Sequence, residues 1–250
     1  LRDARNVDNI VAKYGALFMI NLKHEIWDRG FKVVHVSTDS IKIANATREI
    51  IAFAFDYAKK YGYTFEHEAS YDKMVMADHV NYIAHYMSTE KCKDLYDGFI
   101  PDDNAKAEKD KNKHLQGWTV TGDMFANPYA FKSLFTHEEI IFNDKCVTIN
   151  ANKGSLHLIG DEGTDHETDT FIGTIGQFTP MSKGGSKLYV LRDGKRNAAS
   201  GTKGYEFLES TTVEMNHLEN DINNDYFNSI CDENVKTIEN YIPFEQFVNR

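Results

Sequence analysis

The chain has 250 residues, 41% of them hydrophobic and 26% charged, with a formal net charge of -10. That length suits one large domain or two small ones around a real core, and the composition is that of an ordinary soluble globular protein. The acidic balance argues against binding nucleic acid through overall charge but leaves room for a local basic groove.

No apolar run is long enough for a bilayer-spanning helix, and no signal-peptide pattern opens the chain. The sequence starts at Leu1 without an initiator Met and reads as part of a longer protein. Cys92, Cys146 and Cys231 lie far apart with no Cys-x-x-Cys pair, so a reduced intracellular protein without structural zinc is expected.

Val7 to Arg29 is expected to be a helix: Val11, Tyr14, Leu17, Phe18 and Leu22 fall near helical spacing, and Gly30 can end it. Phe31–Ser37 and Ser40–Ile43 are rich in β-branched residues and read as two strands, with Thr38 and Asp39 at the tip of a tight hairpin. A second helix is expected over Ala46–Lys60, with Ile50, Ile51, Ala54, Phe55 and Ala58 as its apolar stripe and Gly62 as its stop. Tyr63–Ala69 alternates as a strand does. Lys73–Ala77 and Val80–Tyr86 suggest a further hairpin turning at Asp78-His79. Residues 97–117 read as a polar loop or linker, including the lysine run Lys106 to Lys113. The remainder is expected to be β-rich, with turns at Asn143-Asp144, Gly184-Gly185 and Asp193-Gly194. It should close on one or two helices that use Ile222, Tyr226, Phe227, Ile230, Val235 and Ile238.

A carboxylate at a hairpin tip is exposed, and its flanking strands hold it rigidly. Both properties suit a magnesium ligand, since magnesium takes oxygen donors and keeps open positions for water and phosphate. An isolated hairpin-tip Asp is more commonly a turn residue, so the surrounding pattern decides the matter.

That pattern resembles family B DNA polymerases of the tailed-phage type. GFKVVHVSTDSIKI is similar to their third palm motif, a strand running into Asp-Thr-Asp-Ser; Thr38, Asp39 and Ser40 match it, and Ser37 replaces the first Asp. DNIVAKYGALFMINLKHEIWDRG resembles the preceding palm helix. YGYTFEHEASYDKMVMADHVNYIAHY resembles the strand with a Glu, here Glu68, and the hairpin that bears a Lys-x-Tyr-like primer-strand motif. Asn81 and Tyr82 fall at that motif; its Lys is missing in place, and the sequence leaves open whether Lys73 stands in for it. GWTVTGDMFANPYAFKSLF, FIGTIGQFTPMSKGGSKLYVL and AASGTKGYEFLES resemble the family's C-terminal blocks, more loosely.

The resemblance implies an α+β fold: an antiparallel palm sheet with packed helices over residues 1–96, the linker 97–117, and a mixed β/α thumb-like region over 118–250. It implies Asp39 as the catalytic, Mg2+-binding carboxylate, with Thr38, Ser40 and Glu68 supporting the metal from one contact away. It implies primer–template DNA, deoxynucleoside triphosphates and the remainder of the polymerase chain as partners, no membrane, and the cytoplasm of an infected bacterial host as location. Thumb contacts to the DNA backbone would come from Lys132, Lys183, Lys187, Lys203 and Tyr205. The first palm motif and the fingers motif are not in this sequence, so the chain alone is expected to be inactive; the alternative is a non-catalytic DNA-binding module that keeps a palm scaffold. Gly201-Thr202-Lys203-Gly204 lacks the spacing of a phosphate-binding loop and reads as a turn. The acidic stretch Asp161 to Asp169 lacks the order of a calcium loop and reads as exposed loop.

Overall fold

The computed structural model describes residues 9–109, 116–202 and 204–249. The fold is α+β, with antiparallel sheets and several helices. The chain divides into two compact units, residues 1–79 with 84–119 and residues 80–83 with 120–250.

The first unit opens with α1 (Ile10–Asp28). The Asn9 side chain accepts from the Ala12 N–H at its start. Gly30, at φ 84°, closes it by donating to the Trp27 carbonyl; this left-handed turn favours glycine. The strands β1 (Val33–Val36) and β2 (Ile41–Ile43) form an antiparallel hairpin. Next comes α2 (Arg48–Lys60), with Glu49 in its first turn and Lys59 and Lys60 in its last, as the helix dipole favours.

Phe18, Met19, Leu22 and Ile26 of α1 pack with Ile50, Ala54, Tyr57 and Ala58 of α2 and with Val33 of the hairpin. The apolar stripe of α2 therefore runs through Ile50, Ala54, Tyr57 and Ala58. Ile51 faces a separate cluster of Met87, Cys92 and Tyr96, and Phe55 is exposed.

Residues 63–70 form no strand. The alternation seen in the sequence belongs to an extended segment whose Tyr63 and Phe65 lean on Phe18, without a neighbouring strand to complete a ladder. The strands β3 (Tyr71–Met76), β4 (Tyr82–Tyr86) and β5 (Trp118–Thr121) form a separate sheet in that order. Between β4 and β5 lie α3 (Thr89–Leu95) and α4 (Asp102–Lys109). The expected polar linker thus contains a helix. Asp102 and Asp103 occupy its first turn, Lys106 and Lys109 its last, and Asn104 is buried. Lys111 and Lys113 of the lysine run lie outside the described residues.

In the second unit α5 (Pro128–Phe131) starts on Pro128 under an Asn127 cap and passes into a wide turn, Lys132–Thr136. Two antiparallel sheets follow. One has the order β12 (Glu206–Glu209), β9 (Ile175–Met181), β6 (Val147–Asn150). The other has the order β11 (Lys195–Ala198), β10 (Lys187–Arg192), β7 (Ser155–Gly160), β8 (Thr168–Gly173). Asp193 and Gly194, both at positive φ, make the two-residue turn between β10 and β11, as expected for Asp-Gly. Asn143-Asp144, by contrast, lies in a short 3-10 turn, Phe142–Lys145.

The core joins Leu156 and Leu158 of β7, Phe178 of β9, Leu188 of β10 and Phe207 of β12 with Ile222, Tyr226 and Phe227. Tyr226 and Phe227 belong to α7 (Asn224–Glu239), which follows α6 (Ser210–Met215) and precedes α8 (Phe244–Val248). Because side chains alternate along a strand, burial of Leu156 and Leu158 turns Ser155 and His157 to the opposite face.

Candidate functional site

Asp39 sits at the tip of the β1–β2 hairpin and is exposed. The Ser37 N–H donates to the Ser40 carbonyl at 2.8 Å and closes the turn. The Thr38 hydroxyl donates to Asp39 Oδ1 at 3.4 Å. The hairpin is anchored at its base: Val33 is buried in the cluster formed with α1 and α2, and Val36, Ile41 and Ile43 pack on the same cluster. A carboxylate held this way projects from a fixed base into solvent.

Charge near the hairpin is mixed. His35 on β1 is held below the ordinary histidine range by burial first, then by Lys42 on β2 and by His79.

The other expected residues are distributed as follows. Glu68 is exposed, and its backbone carbonyl accepts from the Asp103 N–H at 3.1 Å, which ties the segment to the start of α4. Lys73 is half-buried on β3 and Tyr82 half-buried on β4. Asn81 Oδ1 accepts from the Met124 N–H at 3.1 Å, so its amide organises the backbone that follows β5. Among the described residues no three His, Cys, Asp or Glu side chains gather as a metal-binding group.

In the second unit, Lys183 extends into solvent beside Asp221 at 3.0 Å. Lys187 lies 3.9 Å from Glu206. The Tyr205 hydroxyl donates to Ser229 Oγ at 3.4 Å, and its ring meets Tyr226 edge-on. Lys203 lies outside the described residues.

Lys132 departs from the expectation. It is buried, its ammonium 2.7 Å from Asp144 and 4.0 Å from Glu138. A phosphate contact needs an ammonium that reaches solvent, whereas this one is already neutralised inside. The Asp144 oxygen that accepts from it also accepts from the Ile141 N–H.

Two polar groupings in the first unit escaped sequence reasoning. The Ser70 hydroxyl joins His67 Nε2 at 2.8 Å and the Tyr96 hydroxyl at 3.0 Å. Asn104 brackets Ser70, accepting from its N–H and donating to its carbonyl and to that of Met87. His67 also stacks on Phe99, and burial lowers its pKa. The second grouping is His85, whose Nδ1 lies 2.9 Å from Asp72 and whose ring meets Trp118 edge-on. Asp72 and His85 lie on adjacent strands, thirteen residues apart in sequence, and no short motif marks such a pair.

The sequence matches no protein-family model, and no curated protein or solved structure matches it. Among the described residues no helix is long and apolar enough to cross a membrane.

Proposed function

We propose that this chain is the C-terminal part of a family B DNA polymerase of tailed-phage type, with residues 1–96 as the last piece of the palm, 97–117 as a linker and 118–250 as the thumb. The observation that carries the reading is the exposed Asp39 at the tip of a two-strand hairpin, within a Ser-Thr-Asp-Ser sequence that resembles the family's third palm motif.

In this reading Asp39 contributes one carboxylate to magnesium. The hairpin is suited to that role because the side chain is exposed, its turn is closed by a backbone hydrogen bond, and its strands are fixed to the helical core. Asp39 would hold magnesium together with a carboxylate from elsewhere in the polymerase, and the bound ions would supply activation of the primer hydroxyl and neutralisation of charge on the triphosphate. The partner carboxylate and the triphosphate-holding Lys belong to the remainder of the polymerase. Thr38 and Ser40 shape the turn around Asp39. Glu68 is assigned a supporting role near the metal. Lys73, Asn81 and Tyr82 lie near the primer strand, and Lys183, Lys187, Lys203 and Tyr205 touch the duplex backbone. Lys132 is left out of that set because it is buried. The site of action is the cytoplasm of the infected bacterium.

Primer extension by the complete polymerase carrying Asp39→Asn tests the reading. Nucleotide incorporation should fall by several orders of magnitude, since the metal charge stabilises the phosphoryl-transfer transition state, while binding of primer–template is retained. Near-normal extension would remove Asp39 from the mechanism. Residues 1–250 alone, given magnesium and all four nucleotides, should show no templated synthesis.

A further inference from the structure

On the outer face of the second unit's four-stranded sheet, Ser155 Oγ lies 2.9 Å from His157 Nε2, and His157 Nδ1 lies 2.6 Å from Asp169 Oδ1. We propose that Ser155, His157 and Asp169 form an acyl-transfer site, with Ser155 as a nucleophile toward activated esters. The proposal is independent of the polymerase reading.

The protonation pattern follows from the contacts. A carboxylate only accepts, so Nδ1 carries the hydrogen and donates to Asp169; Nε2 is then the free lone pair that receives the Ser155 hydroxyl proton. This is the connectivity that activates a weak hydroxyl nucleophile. It arises from strand geometry. Ser155 and His157 are two residues apart on β7 and share a face, and β8 pairs alongside β7 and brings in Asp169.

Several neighbours fix the arrangement. Asp169 Oδ2 accepts from Arg196 at 3.4 Å, and Arg196 is itself held by Glu167 at 2.9 Å. The His157 imidazole is largely shielded and meets Phe171 edge-on, whereas Ser155 remains half-buried at the very start of β7. Gly154 just before it takes φ 115°, and a Cβ there would come 2.3 Å from the Leu191 carbonyl oxygen. The backbone is thereby pressed against β10 at the point where the serine emerges.

In the reaction, Ser155 Oγ bonds to the ester carbonyl carbon as its proton passes to His157 Nε2. The bond from carbonyl carbon to the leaving oxygen breaks, and that oxygen takes the proton from Nε2. Water, deprotonated by the same imidazole, then releases the acid and restores the serine. Asp169 is a positioning residue that acts through His157. Full support of the oxyanion is worth roughly a hundredfold or more in rate, so the fitting substrates are esters with good leaving groups. Phe171, exposed beside the imidazole, offers an aromatic surface for an aryl leaving group.

The test uses the whole chain with p-nitrophenyl acetate. The expected result is a burst of nitrophenolate approaching one equivalent, with the acetyl group located on Ser155 by peptide mass spectrometry. Ser155→Ala should abolish the adduct. His157→Gln should lower the acylation rate by about tenfold or more, general-base catalysis being worth roughly a hundredfold or more. Asp169→Asn should lower the acylation rate while Ser155 remains the acetylated residue. Mapping the acetyl group on the unmutated chain needs no variant to fold. Acetylation only at lysines or other residues, or an acylation rate unaffected by His157→Gln, would overturn the proposal.

Discussion

Asn104 satisfies three backbone groups at once, the N–H and carbonyl of Ser70 and the carbonyl of Met87, all away from solvent. Truncating it leaves those groups unpaired, and each buried orphan costs about 1–3 kcal/mol. Asn104→Ala should therefore destabilise the chain by roughly 3 kcal/mol or more, read as a lowered denaturation midpoint. Its neighbour His67 gives the network a pH dependence. Burial holds the folded pKa of His67 below its ordinary value, so the unfolded chain takes up the proton more readily. The associated stability is complete above the unfolded pKa, about 6.5, and is lost as the pH falls below it toward the folded value. The midpoint should drop on acidification through this window, and His67→Gln should reduce the drop. An equal drop in wild type and variant would show that other groups carry it. Neither Asn104 nor Ser70 announced itself in the sequence, since a polar residue in a polar stretch looks the same whether solvated or enclosed. Asp39 was legible because a turn between two short β-branched runs exposes whatever it holds.

At the scale of elements, local signals were enough wherever periodicity and caps agreed. Gly30 and Gly62 mark the ends of α1 and α2 at positive φ, and Asp-Gly marks the β10–β11 turn. The helix α4 was also written locally, with Pro101 followed by Asp102 and Asp103 and with lysines a turn later, a recognisable start signal. Its polar composition concealed it, because its buried contribution is largely the single residue Asn104. The opposite error arose at residues 63–70, where alternation was real but pairing, which is non-local, was absent. Lys132 shows the same limit. Buried between Asp144 and Glu138, it joins the α5 turn to the segment before β6. Lys132→Ala should cost about 3–5 kcal/mol by stranding a buried carboxylate, a loss that chemical denaturation would register, while the salt dependence of any DNA binding stays as in the wild type. A flattened salt dependence with unchanged stability would place Lys132 at a phosphate instead.

For the molecule as a whole, the chain divides into two units that are nearly contiguous in sequence, with only residues 80–83 crossing into the second. A net charge of -10 should keep DNA binding weak, with affinity resting on a few local lysines and falling steeply with salt, since each neutralised phosphate releases counterion. Replacing Lys187 and Lys203 together with Ala should reduce the salt slope by about one unit for each phosphate that is no longer neutralised; titrations at several salt concentrations measure this directly, and an unchanged slope would make both ordinary surface residues. The most direct measurement remains single-nucleotide incorporation by the complete polymerase with Asp39 intact or changed to Asn, on the same primer–template and with magnesium. The polymerase assignment predicts a loss of several orders of magnitude in incorporation with DNA affinity preserved, because a hairpin carboxylate that serves the metals is needed for the chemistry and not for holding the duplex. Incorporation at close to the wild-type rate would contradict it.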